Sequence, residues 1–186
     1  IHESASVSHI FGQNIVAAES FTTNGLANGA WVYSPTVLKP TADAALAAGL
    51  NRFVIHTSPH QPVDDKIPGL GLGKYGQWFD RHQTWADYAK VWTDYLSRSC
   101  YMLQQGKFVA DIAYYYGEDN NVTGLFKVSG PEIPAGYNYD YINPTVLLTK
   151  LSVQDGMLIT ETGMKYKILY LDRNARFMSM PVLKKI

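Results

Sequence analysis

Cysteine is nearly absent: Cys100 is the only one, which excludes an internal disulfide framework and a cysteine-ligated zinc site. No apolar run approaches the roughly 20 residues that a membrane-spanning helix needs. Charge of either sign is not in excess, with 16 Lys and Arg against 16 Asp and Glu in 186 residues. Neither nucleic acid nor an anionic membrane surface is therefore expected as the main partner. This stretch is not expected to include a signal peptide, because it opens on Ile1-His2-Glu3 without an initiating Met, a basic segment or an apolar segment. It stops on Lys184-Lys185-Ile186 as a helical pattern begins, and reads as a piece of a longer protein. What is present is a globular composition, 46% hydrophobic and 17% charged. The 13 Tyr and 4 Trp are a ring content that suits carbohydrate or nucleobase sites, and rings equally fill ordinary cores.

Glycine and proline punctuate the chain. A helical segment from Glu3 to Phe11 stops at Gly12, and Asn14 to Ala18 reads as a buried strand ending at Glu19. Asn24-Gly25 and Asn28-Gly29 mark a loop, Pro40 to Ala48 a helix closed by Gly49, and Arg52 to His56 the next strand. A long loop runs from Thr57 to about Gln83. Trp85, Tyr88, Ala89, Trp92, Leu96, Ser99 and Leu103 then recur at helical spacing, with Thr84 and Asp87 as a capping box. Phe108 to Tyr116 reads as a strand. This alternation predicts parallel strands, hence a βα barrel or a doubly wound sheet. Further on, Asn143-Pro144 starts a helix, Asp155-Gly156 makes a hairpin, Lys167 to Leu171 is a strand, and Ser179 with Pro181 opens a last helix. A domain boundary is expected near Gly106, giving segments 1–106 and 107–186.

Several residues are candidates for chemistry. Glu19 ends an apolar strand next to Ser20, Thr22 and Thr23, at the face where α/β proteins build their sites. It can serve as base, nucleophile or ligand, or simply accept loop hydrogen bonds. His56 and His60 follow the second strand; Pro59 rules out a helical metal pair, so they read as donors to a hydroxyl-rich ligand, or as one buried and one solvent histidine. Gly71 to Gly76 spells a dinucleotide fingerprint but lies inside a loop, not between a strand and a helix, so nucleotide binding is not expected. Trp78, Asp80 and Arg81 form a set that can stack on a sugar face and grip its hydroxyls, or anchor the loop through an Asp–Arg pair. Glu118-Asp119 reads as an exposed acidic turn, and Tyr137 to Tyr141 alternates rings with polar groups.

These stretches resemble glycoside hydrolase family 106. The resemblance rests on Asn14 to Thr22, Asn51 to Pro62, Gly76 through Trp85, Tyr95 to Arg98, Leu103 to Gly106, Ala110 to Ile112 and Met178 to Leu183, so it covers the whole chain. It implies an α-L-rhamnosidase with a (β/α)8 catalytic barrel, calcium dependence and inversion at the anomeric carbon. Residues 1–106 would then be the last βα units of the barrel, with Glu19 on strand seven and His56 on strand eight. Residues 107–186 would begin a second, Rossmann-like α/β domain. Glu19 would be the catalytic base, with His56, His60, Trp78, Asp80 and Arg81 binding substrate, and the catalytic acid lying upstream of Ile1. No calcium ligand is assigned, because Glu118 and Asp119 lack the spacing of a calcium loop.

The expected partners are a rhamnose-containing oligosaccharide or polysaccharide and the rest of the parent chain, in a periplasmic or secreted protein. The fragment alone is not expected to turn over substrate. The alternatives are a non-catalytic carbohydrate-binding or structural fragment, and a barrel glycosidase of other sugar specificity.

Overall fold

In a computed structural model, which describes residues 1–22, 29–67, 69–72, 75–76, 78–125 and 130–186, the first helix does not stay with the segment that follows it. The chain divides into one unit of Ile15–Gln105 with Ile1, and another of Gly106–Ile186 with His2–Asn14. The helix α1 (His2–Phe11), closed by Gly12 at φ +72°, thus belongs to the second unit, where the sequence reading had placed it in the first.

In the first unit the elements are β1 (Ala17–Ser20), α2 (Gly29–Val32), α3 (Pro35–Ala47), β2 (Arg52–Ile55), a 3-10 turn over Ala86–Tyr88 and α4 (Ala89–Leu103). β1 starts later than the apolar run from Asn14 suggests, because Val16 is engaged by Asn51: its amide donates to the Asn51 side chain at 2.8 Å. α3 begins five residues before Pro40. Extended Ser34 stands at the N-cap and Pro35 at the first helical position, the geometry proline fits best, and Pro40 is accommodated inside the helix. The Thr84 capping box does not form. The chain first makes the 3-10 turn, whose tighter winding shifts the phase of α4's apolar stripe, so Tyr88 is 76% exposed while Trp92 and Leu96 are buried. Asn24-Gly25, Asn28 and Thr23 lie outside the described residues.

β1 and β2 pair in parallel, Ala17 with Arg52 through Ser20 with Ile55. The strand period of two gives the pair two unlike faces. On one, Phe53 and Ile55 pack with Phe21, Leu38, Ala42, Trp92 and Leu96, a core supplied by α3 and α4. On the other, Ala17, Glu19, Arg52 and Val54 are exposed.

The second unit holds β3 (Ile112–Tyr115), α5 (Val122–Leu125), β4 (Tyr139–Ile142), α6 (Pro144–Thr149), β5 (Leu151–Gln154), β6 (Met157–Thr160), β7 (Lys165–Tyr166), β8 (Ile168–Leu171) and α7 (Met180–Lys185). A parallel three-stranded sheet runs in the order β4-β3-β8, and an antiparallel one in the order β5-β6-β7. The local signals here are followed closely. Asn143 caps α6 by accepting from the Val146 amide at 2.8 Å, with Pro144 at the start of the helix. Asp155 (φ +52°) and Gly156 (φ +74°) form the two-residue turn between β5 and β6, both in the left-handed region such a hairpin requires.

The stretch Tyr139-Asp140-Tyr141-Ile142, read on sequence only as alternating rings, is the edge strand β4. An open edge leaves backbone groups unpaired, and α1 supplies the missing partners. The Tyr141 amide donates to Ser6 Oγ at 2.9 Å, and His2 Nε2 lies 2.9 Å from the Tyr139 carbonyl. Burial holds the His2 imidazole below its ordinary pKa, although that hydrogen bond opposes the effect. Alternation along β4 turns Asp140 into the core, where it is fully buried. There it lies 2.8 Å from His9 Nδ1 and accepts from the Tyr166 hydroxyl at 2.9 Å. The same environment, burial first and then the carboxylate's charge, raises the Tyr166 pKa well above the usual phenol range.

Candidate functional site

The carboxyl ends of β1 and β2 lie level, with Ser20 opposite Ile55 and the His56 amide donating to the Ser20 carbonyl at 2.9 Å. Glu19 precedes that end by one residue and His56 follows it by one. By the same parity both belong to the exposed face, away from the helices. Glu19 is exposed and accepts a hydrogen bond from Thr22 Oγ1. Ser20 instead turns its hydroxyl back to the Ala18 carbonyl at 2.9 Å, so Thr22 is the described hydroxyl that orients the carboxylate.

Thr22 can reach Glu19 because of Phe21, which adopts φ +64°, a left-handed conformation costly for a bulky side chain. Its ring is held where the conformation demands: only 8% exposed, stacked on Phe53 at 5.5 Å and tilted against Trp92 at 5.9 Å. The core packing of the first unit thereby fixes the turn that aims Glu19.

After β2 the chain leaves through a cis peptide between His56 and Thr57. His60 is exposed, whereas His56 is half-buried with its Nδ1 buried and without a hydrogen-bond partner among the described residues. His56 is thus not the satisfied core histidine of the alternative reading.

The loop beyond them is organised by Gln61, a residue that sequence reasoning passed over. Gln61 is only 6% exposed; its Oε1 accepts from the Leu70 amide at 2.8 Å, and its Nε2 donates to the Leu70 carbonyl at 2.7 Å and to Asp80 at 3.0 Å. The available signal was an amide side chain between Pro59 and Pro62, neither of which has an N–H to give. Asp80 also accepts from the His82 amide at 2.8 Å. Arg81 does not pair with Asp80: it donates to Asp64 from Nε at 2.9 Å and from Nη2 at 2.6 Å, and to the Gln61 carbonyl at 2.8 Å.

Trp78 is 7% exposed, edge-on to Trp31 at 5.2 Å, and covers Gly71 so closely that a Cβ there would fall inside its ring. The polar atoms of Asp80 and Arg81 therefore already serve the loop. Two glycines of the fingerprint have packing reasons, Gly71 under Trp78 and Gly76 against His56. Gly73, Lys74 and Gln77 lie outside the described residues.

In the second unit Glu118 accepts from the Ser179 amide at the start of α7, which accounts for that acidic turn. No group of three or more His, Cys, Asp or Glu among the described residues converges as a metal site. No helix among them is long and apolar enough to cross a membrane.

A carboxylate and an imidazole at the carboxyl ends of adjacent parallel strands, beside a folded loop, are the layout of α/β enzymes, which bind ligands at that edge. The family model described as alpha-L-rhamnosidase, glycoside hydrolase family 106, matches residues 1–186, and the chain belongs to that family. The solved structure of a rhamnosidase from Novosphingobium sp. PP1Y is similar to it, with a TM-score of 0.92 and 44% identity over 97% of this chain. A protein from Formosa agariphila that carries the name beta-glucuronidase is 42% identical over 168 residues, 90% of this chain. The chain spans 17% of the rhamnosidase and 14% of the Formosa protein.

Proposed function

We propose that this chain is the part of a larger inverting glycoside hydrolase, acting on terminal α-L-rhamnose, that carries the catalytic base, Glu19. The observation that carries the reading is the exposed, Thr22-oriented carboxylate one residue before the end of β1, on the exposed face of the ladder. Parallel strands are normally covered on both faces. The face with Ala17, Glu19, Arg52 and Val54 therefore calls for further strands. Closing it into a (β/α)8 barrel makes β1 and β2 its last two strands. The parallel sheet β4-β3-β8 then opens a Rossmann-like domain.

In this mechanism the Glu19 carboxylate takes a proton from water as that water attacks the anomeric carbon. An acid outside this chain protonates the departing oxygen, from about 6.5–9.5 Å away across the sugar. His56 and His60 hydrogen-bond sugar hydroxyls. Trp78, Asp80 and Arg81 act through the shape of the loop. Because the acid is supplied elsewhere, turnover belongs to the full-length protein, which we place in the periplasm or outside the cell. Calcium, which the family implies, finds no convergent donor set among the described residues, and no step here runs through it.

A second specificity is favoured by the name of the Formosa relative. A glucuronide brings a carboxylate that needs a cation, and in the loop the Arg81 Nε and Nη2 are already engaged. Assay of the full-length protein on matched aryl glycosides separates the two. Release from the α-L-rhamnoside with none from the β-glucuronide is expected; the reverse pattern would replace rhamnose in this account.

A further inference from the structure

We propose that His56 acts as a hydrogen-bond donor of fixed tautomer, through Nε2–H, and that Gly76 is the positioning residue that fixes it. The inference rests on the reading of the β1–β2 edge as a sugar site. Three observations meet at this ring. Its Nδ1 is buried and has no partner among the described residues. Gly76 lies against that same edge: a Cβ there would stand 2.5 Å from Nδ1, 3.0 Å from Cε1 and 3.2 Å from the His56 carbonyl. The residue as a whole is nevertheless half-buried, which leaves Nε2 as the ring nitrogen available to a ligand.

Of the two neutral imidazole tautomers, one carries its proton on Nδ1. There a buried N–H would lie against Gly76 with no acceptor among the described residues, and an orphaned buried N–H is rarer in proteins than an under-used acceptor. The other tautomer leaves only a lone pair at the covered edge and puts the proton on Nε2. By strand parity His56 belongs to the same side of the ladder as Glu19, so on this proposal a sugar hydroxyl accepts from that N–H while the base addresses water. Gly76 holds the arrangement twice over. Its φ of +93° is a conformation that other residues rarely adopt, and any side chain would press on the imidazole.

The test compares His56→Gln with His56→Asn in the full-length protein, since a Gln amide reaches the place of Nε2 and an Asn amide only that of Nδ1. His56→Gln is expected to keep kcat/KM within about tenfold of the original, and His56→Asn to lose about 10²-fold, the scale of a misplaced substrate. Gly76→Ala, with His56 intact, is expected to lose at least about tenfold for the same reason. Thermal unfolding of each variant identifies any that fails to fold; if Gly76→Ala does, the Gln and Asn pair decides. Asn performing as well as Gln, or a folded Gly76→Ala with unchanged kcat/KM, overturns the proposal. Glu19→Gln assayed alongside separates this from the larger reading. Full turnover there removes the base assignment, while the Gln and Asn ranking still reports on His56.

Discussion

Glu19→Gln in the full-length protein is expected to lower kcat by about 10²–10⁴-fold, the usual contribution of a general base, with KM little changed. Glutamine keeps the shape and can still take the Thr22 hydrogen bond, but it has no charge with which to accept a proton from water. The same substitution should leave thermal stability nearly untouched. Glu19 is exposed and its described partner is the Thr22 hydroxyl, and surface changes of this kind stay within about 0.5 kcal/mol. Loss of turnover without loss of stability separates a base from a loop anchor, whose removal would do the opposite. Steady-state kinetics and thermal unfolding on the same preparation give both numbers.

The opposite signature is expected at Asp140. Asp140→Ala removes a fully buried carboxylate that meets His9 and Tyr166, leaving both without their partner in the core. A buried hydrogen-bonding group left without its partner costs about 1–3 kcal/mol, a sizeable share of the roughly 5–15 kcal/mol that holds a domain folded. Because His9 belongs to α1, the first consequence is release of α1 from the edge of β4. Amide exchange at Tyr141, whose N–H donates to Ser6, should accelerate with the fall in unfolding temperature. Asp140→Asn, which keeps an acceptor, should lose less. An alanine variant with the original unfolding temperature and exchange rates would show that the pair does not secure α1.

The contrast between these residues shows what was legible in the sequence. Signals that act within a few residues were read correctly at Asn143-Pro144 in α6 and Asp155-Gly156 in the hairpin, whereas the buried strand expected over Asn14 to Ala18 is the half-exposed β1, Ala17–Ser20, which ends one residue beyond Glu19. The first two express a local demand, for a cap or a left-handed turn. Asp140 was illegible because its meaning depends on a strand period seen only once β4 has neighbours, and on His9, 131 residues away.

The placement of α1 failed for the same reason, since a helix covering a distant strand edge leaves no mark on its own periodicity. Asp80 and Arg81 show a subtler failure. Adjacency in sequence suggested an Asp–Arg pair, whereas Arg81 reaches back to Asp64 and Asp80 to Gln61. Ser34-Pro35 was a readable helix start that the more conspicuous Pro40 obscured.

The claim at the centre of this account is that Glu19 activates water directly and forms no bond to the sugar. The configuration of the first sugar released tests it. Proton NMR of an aryl α-L-rhamnoside during the first minutes of hydrolysis by the full-length protein, before the anomers equilibrate, should show β-L-rhamnose appearing first. Initial release of α-L-rhamnose would mean two displacements through a covalent intermediate, and would contradict the role assigned to Glu19.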